Sequence, residues 1–282
     1  MTHDPRYIED LPRIAADAYE LAGRRCGDCR DLHGLWPYAR LTRASTGVEQ
    51  HQSGLEAQLS TFFDLGLRDV LIAGAADSAL LAHVARAGAR RDIRITVLDI
   101  CDTPLELCRR FAKQWSLPVE TVRQDLFDLD VTHRFDVVLM HGTLNFIAAD
   151  RHVQVLRRIQ RAMRPKGRLM LLFNTSRPPA AGQALETRAE YADFILSELK
   201  RLGIPLPDRE AAMRERLVNR ARERESRDAQ FSTPGEVESQ VKAAGFNVLS
   251  CAPTGTALAE PAGAILSQFS KRRFTLTAEP NP

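Results

Sequence analysis

Four polar residues each close a short apolar run, which is where an α/β chain keeps its chemistry. Gly74 follows Asp69-Val-Leu-Ile-Ala, Asp99 follows Ile93-Arg-Ile-Thr-Val-Leu, Asp125 ends the stretch that begins at Val119, and His141 closes Phe135-Asp-Val-Val-Leu-Met. A carboxylate at a strand end can accept two hydrogen bonds from a diol, and a second can receive an amino group. Histidine titrates near neutral pH and can take a proton from a reacting group. Each residue also has a plainer reading. Asp99 can cap a helix starting near Thr103-Pro104-Leu105, Asp125 can be an ordinary loop carboxylate, and His141 can pack on a ligand or bond to backbone. A second group is Cys26-Gly-Asp-Cys29 with His33. Zinc takes four ligands, and by sequence only the distant His51 or His3 completes this set, so no metal is expected. Ala22, Cys26, Cys29, His33 and Trp36 recur at three- and four-residue steps, so one face of a helix explains the same residues more simply.

The elements that must hold these residues follow from the apolar pattern. Short apolar runs separated by helical stretches, each stopped by a polar residue, predict a parallel sheet with helical crossovers. Ligands of such sheets bind outside the carboxyl ends of the strands, so Gly74, Asp99, Asp125 and His141 are expected to share one crevice. A basic amphipathic helix over 152–163 stops at Arg164-Pro-Lys-Gly167, and Arg168–Phe173 is a fifth strand. Asn247–Cys251 and Arg272–Ala278 make two more, paired antiparallel at the sheet edge. Ser232 or Thr233 caps the helix before them. The expected organisation is a helical cap over 1–55 with a break at Pro37, a core over 56–174, a helical insertion or lid over 175–231 opening at Pro178-Pro179, and a return of the core over 232–282. The alternating charges of Arg209–Arg227 read as a solvated helix face.

Composition narrows the function classes. Of 282 residues, 44% are hydrophobic and 27% charged, as in ordinary globular proteins, and a net charge of +3 is too small to argue for nucleic acid or a membrane surface. No apolar run approaches the roughly 18 residues of a membrane span, and the polar start is unlike a signal peptide. The odd number of cysteines, five, suggests reduced thiols and a cytoplasmic protein.

The run from Leu67 to Phe173, with the return Ala243-Ala-Gly-Phe-Asn-Val248, resembles the class I S-adenosylmethionine-dependent methyltransferases. Members usually carry an acidic residue and three alternating glycines around the first turn. Ile72, Gly74, Ala76 and Ser78 stand in those places, so one glycine survives. The resemblance implies a Rossmann-like methyltransferase fold, a mostly parallel seven-stranded sheet with an antiparallel edge strand; the helical N-terminal extension and the helical insertion lie outside it. It implies S-adenosyl-L-methionine as cofactor, its amino-acid end beside Ala73, Gly74 and Ala75 with Asp77 for the ammonium. Asp99 would take the ribose, Ile100 and Cys101 would flank the adenine, and Asp125 with Leu126 would meet its amino group. His141 would lie where methyl donor and acceptor meet, with Asn145 orienting the acceptor. Tyr38 and Arg40, outside the resemblance, follow the break at Pro37 and can reach the ligand's carboxylate. Ala76 would crowd a pyrophosphate, which disfavours a dinucleotide. The lack of an Asn-Pro-Pro-aromatic motif argues against amide and nucleic-acid-amine acceptors, and the lack of an acidic cluster argues against a magnesium-dependent enzyme. The expected function is methyl transfer to an oxygen or nitrogen of a small molecule. The rival is a protein that binds S-adenosylmethionine or S-adenosylhomocysteine without turning it over. No nucleic-acid or membrane partner is expected, and a homodimer is left open.

Overall fold

The computed structural model describes residues 7–45, 48, 52–175, 183–228, 231–254 and 272–281. The apolar runs form the strands β1 (Asp69–Ala73), β2 (Arg94–Asp99), β3 (Val119–Arg123), β4 (Phe135–His141), β5 (Met163–Thr175), β6 (Phe246–Pro253) and β7 (Arg272–Pro280). They make one sheet in the order β3-β2-β1-β4-β5-β7-β6. The first five are parallel, and β7 runs antiparallel between β5 and β6 at one side of the sheet. Fold class and strand pairing thus agree with the sequence pattern. The order reverses between β1 and β4, and the crevice expected for a ligand opens at that switch point.

Alternation along the strands builds a core on each face. Leu71 and Ala73 of β1 join one cluster, with Val155, Leu156 and Ile159 of α6 (His152–Ala162) and Val237 and Val241 of α9 (Pro234–Ala243). Val70 and Ile72 point the other way, to α3 (Gln52–Asp64), α4 (Ala79–Ala87) and α5 (Asp102–Trp115). Ile72, in the place of the family's acidic residue, is therefore a core side chain, 1% exposed. At the start of α9 the cap is Thr233, and Glu236 accepts from the Ser232 backbone N–H at 3.0 Å.

Above the strand ends a third cluster joins two segments that are distant in sequence. Ala15 of α1 (Leu11–Arg25) and Leu35, Tyr38 and Ala39 of α2 (Arg30–Leu41) pack with Tyr191, Ile195 and Leu199 of α7 (Gln183–Arg201) and Met213 and Leu217 of α8 (Glu210–Asp228). A buried leucine contributes about 1.5–3 kcal/mol, so this shared core ties the N-terminal helices to the insertion firmly. Three expectations change here. The stripe from Ala22 to Trp36 is two helices, with Cys26–Cys29 in the turn between them, because Gly27 and Asp28 interrupt the helical pattern. Pro37 lies inside α2 rather than ending it. The helix carrying Arg209–Arg227 is not solvated all round: Met213, Leu217, Ala221 and even Arg220 are buried, the last at 3% exposure. Pro178-Pro179, His3 and His51 lie outside the described residues.

Candidate active site

The floor of the crevice is the turn after β1. Gly74 has φ +86°, and a Cβ built there would lie 2.6 Å from Thr143 Oγ1. Both facts require glycine. Thr143 is held in place because its hydroxyl donates to the Ala73 carbonyl at 2.8 Å. In this turn the left-handed conformation is confined to Gly74, so Ala75, Ala76 and Ser78 carry side chains without strain. That is how a loop with one glycine substitutes for one with three.

Asp99, at the end of β2, is 9% exposed. Its Oδ2 accepts from the Ala75 N–H at 2.8 Å and its Oδ1 from the Cys101 N–H at 2.7 Å. One carboxylate thus fixes the β1 turn and the β2 loop relative to each other, and each oxygen keeps a second lone pair for a ligand. Burial raises its pKa, and the two N–H groups oppose that rise.

Two adjoining cavities share this floor. The first is lined by Asp99, Ile100, Cys101, Asp125, Leu126 and Phe127. The second is lined by Trp36, Arg40, Asp77, Asn145, Arg220 and Arg273. Gly74, Ala75, Ala76, Leu32, His141 and Phe146 line both. His141 stands at the junction, at the end of β4, followed by Gly142 with φ +72°. Ile100 and Phe146, both exposed, present apolar surface to the first cavity, and Phe146 to the second as well.

Gly74, Ala75, Asp99, Ile100, Asp125, Leu126 and His141 all line the first cavity. Ala73 contributes its carbonyl to Thr143 and does not line either cavity. The strand β3 stops at Arg123, so Asp125 begins a short 3₁₀ turn, with its Oδ1 accepting from the Phe127 N–H at 2.9 Å. Asp77 reaches the second cavity, but its carboxylate is held by the Arg40 guanidinium and by the Ala79 N–H at 2.9 Å. Arg40 in turn donates to Glu9 at 2.8 Å. Tyr38 is 1% exposed and belongs to the helical core, away from both cavities. The Asn145 amide bonds to the backbone of Asn174, donating at 3.2 Å and accepting at 3.3 Å, so it ties the β4 loop to β5.

Residues 70–167 match the methyltransferase domain family. The chain is 30% identical over 175 residues to carboxy-S-adenosyl-L-methionine synthase of Pseudomonas aeruginosa (strain UCBPP-PA14), covering 56% of this chain and 68% of that protein. The chain belongs to the class I S-adenosylmethionine-dependent methyltransferase family. Against the synthase of the same name from Pseudomonas fluorescens (strain Pf0-1) it is 33% identical over 118 residues, spanning 40% of this chain and 44% of that one. The fold is also that of Burkholderia thailandensis 1,6-didemethyltoxoflavin-N1-methyltransferase, at a TM-score of 0.50 and 20% identity over 82% of this chain and 79% of that one. A solved [4+2]-cyclase, SpnF, has the same fold at a TM-score of 0.55 and 14% identity, covering 90% and 95%.

As a methyltransferase of this family the protein is an enzyme, and S-adenosyl-L-methionine is its cofactor. The cavities fit that molecule. The first has acceptors at Asp99 and Asp125 with an apolar wall at Ile100, suited to a nucleoside, and the floor has no cluster of backbone N–H groups opened by glycines for a pyrophosphate. The methyltransferase site also contains residues that sequence reasoning missed. Thr143 and Phe146 follow His141 directly and were legible by position. Arg220 and Arg273 come from the insertion and from β7, and nothing in their surroundings separates them from other arginines. Cys101, expected beside the adenine, has unforeseen neighbours: Cys26, in the turn after α1, and Cys29 have their sulfurs 3.3 and 3.6 Å from its own, at the start of α5. His33 lies buried against Cys29 and Cys101. Burial opposes the Cys101 thiolate, but His33 and the Thr103 N–H outweigh it and bring the thiol down to about 6.

Proposed function

We propose that the protein transfers a methyl group from S-adenosyl-L-methionine to an oxygen or nitrogen of a small-molecule acceptor. The carrying observation is the junction of the two cavities at His141, with a nucleoside-shaped side bounded by Asp99, Ile100 and Asp125 and a second side bounded by Trp36, Phe146, Arg220 and Arg273. On the second side Trp36 and Phe146 offer apolar surface and Asn145, Arg220 and Arg273 offer hydrogen-bonding groups for an acceptor, while Asp77 and Glu9 are both held by Arg40. When bound, the cofactor supplies an electrophilic methyl carbon, and its loss leaves S-adenosylhomocysteine. The chain's contribution is placement of the nucleophile in line with that carbon. His141 takes the proton that a hydroxyl or ammonium acceptor must lose. The helices α1, α2, α7 and α8 act as a lid that excludes water. Asp99 holds the ribose, Asp125 and Leu126 the adenine edge, and Gly74, Ala75 and Asp77 form the wall for the amino-acid end.

The named product of the Pseudomonas relatives favours a second reading, in which S-adenosylmethionine is itself the substrate and receives a carboxyl group. The cavity on the second side of the junction would then hold the carboxyl donor. Calorimetry with S-adenosylhomocysteine and with NAD tests the cofactor: tight binding of the first and none of the second is expected. Incubation with methyl-labelled S-adenosylmethionine and a panel of carboxylated phenols and amines is then followed by mass spectrometry of both acceptor and cofactor. Labelled acceptor supports the first reading, and a cofactor heavier by one CO₂ supports the second. Binding without either product across the panel would count against both readings of the acceptor.

A further inference from the structure

We propose that Cys26, Cys29, His33 and Cys101 bind a zinc ion that joins the N-terminal helical cap to the cofactor loop. The sequence supplies Cys-x₂-Cys-x₃-His and stops one ligand short. The fold supplies the missing one, because Cys101 lies at the turn from β2 into α5 and the turn between α1 and α2 settles on it. The ligand atoms of Cys26, Cys29 and Cys101 all lie within 4.8 Å of one another. Tetrahedral zinc with Zn–S bonds near 2.3 Å sets its sulfurs about 3.8 Å apart. The observed separations of 3.3 Å for Cys26–Cys101 and 3.6 Å for Cys29–Cys101 are close to that spacing.

A disulfide explains the arrangement less well. It uses two sulfurs at about 2.05 Å and leaves the third thiol and the imidazole without a role, whereas here three sulfurs converge on one point. His33 is 5% exposed, and its Nδ1 is buried without a hydrogen-bond partner, an arrangement that costs about 1–3 kcal/mol unless something meets the ring. It packs against Cys29 and Cys101 but stands outside the 4.8 Å group of the three sulfurs, so a turn of its side chain is what would bring a ring nitrogen to the fourth corner. The Thr103 hydroxyl lies 3.1 Å from the Cys26 sulfur and can donate to a metal-bound thiolate, the kind of outer support such sulfurs take. Three thiolates and one imidazole with no open position describe a structural zinc site rather than a catalytic one.

The position gives the metal a task. Cys101 stands two residues after Asp99, and its backbone N–H is one of the two that fix the Asp99 carboxylate. Cys29, His33 and Cys101 also line the nucleoside cavity. A metal here would hold the lid's first turn and the Asp99–Ile100 loop in one place, which the small contact between α1 and α5 at Ile14, Ala18, Leu21 and Leu107 does only in part.

The test uses the full chain purified under reducing conditions without chelator. Elemental analysis is expected to find about one zinc per chain, released by a mercurial reagent and replaced by Co²⁺ with the thiolate-to-cobalt charge-transfer and intense d–d bands of a tetrahedral sulfur-rich site. Cys26→Ser and Cys101→Ser should each lose those bands, and Cys251→Ser should keep them. Where a ligand variant fails to fold, the wild-type Co²⁺ spectrum and thiol count decide alone. The idea is overturned if reduced wild-type protein binds neither zinc nor cobalt and all five thiols titrate at once, or if mapping finds a disulfide among Cys26, Cys29 and Cys101 in place of metal.

Discussion

Replacing Asp99 by Asn removes one negative charge and one acceptor while keeping the side chain's size. Both wild-type oxygens accept a backbone N–H, at 2.8 Å from Ala75 and 2.7 Å from Cys101, and the amide can serve one of the two. The other N–H then faces an NH₂ group, in a site 9% exposed, which costs about 1–3 kcal/mol of stability. For a chain of this size that is a fall in Tm of roughly 2–4 °C per kcal/mol. On the ligand side, one charge-assisted hydrogen bond to a ribose hydroxyl is worth about 1.5–3 kcal/mol, so the Kd for S-adenosylhomocysteine should rise on the order of ten- to a hundredfold. Loss of affinity alone does not separate a sugar contact from a distorted loop. The decisive assay is calorimetry on both proteins with S-adenosylhomocysteine and its 3′-deoxy analogue. Wild type should prefer the natural sugar by about tenfold or more, and Asp99→Asn should lose most of that preference. If the folded variant keeps the wild-type affinity, or discriminates the two sugars as wild type does, Asp99 does not hold the ribose.

Gly74→Ala should cost about 2–4 kcal/mol in urea unfolding and abolish cofactor binding, because it combines φ +86° with a contact at 2.6 Å to Thr143. Gly142→Ala, at φ +72° with nothing within 4 Å, should cost only about 1–2 kcal/mol, and equal losses would refute the argument from space. His141→Ala should lower turnover much more than affinity for S-adenosylhomocysteine, and equal turnover in both proteins would remove it from proton transfer. Burial raises the pKa of Glu56, but its bonds to His83 at 2.7 Å and Arg86 at 2.9 Å outweigh this and hold the carboxyl down, from 4.5 to about 2. Its stabilisation is therefore present above about pH 4.5 and fades as pH falls toward 2, and it is worth at most about 3 kcal/mol. Glu56→Gln should accordingly be less stable than wild type at pH 7, with the gap narrowing by pH 3 in denaturant titrations. A gap that does not change with pH would refute this assignment.

The sequence by itself determined the parallel core, the crevice and the residues at its rim. Alternating or continuous apolar runs force strands, and a polar residue at a parallel strand's end has to lie at the sheet's ligand edge, so Gly74, Asp99 and His141 were legible before any coordinates. The resemblance to the methyltransferases rests on that same local order. What only the tertiary structure decided involves residues distant along the chain. Whether a loop with one glycine works depends on φ at each position and on Thr143, about seventy residues away. Arg220 and Arg273 acquire meaning from the cavity they enter, since their neighbours in sequence are also charged. The half-set Cys26, Cys29 and His33 lacked a fourth ligand because Cys101 comes from a different loop, brought in when α1 and α2 pack over the strand ends. Periodicity reports which face of an element is buried, and it carries no information about which distant residue will lie opposite. That pairing is set by packing, and packing made the cysteine cluster.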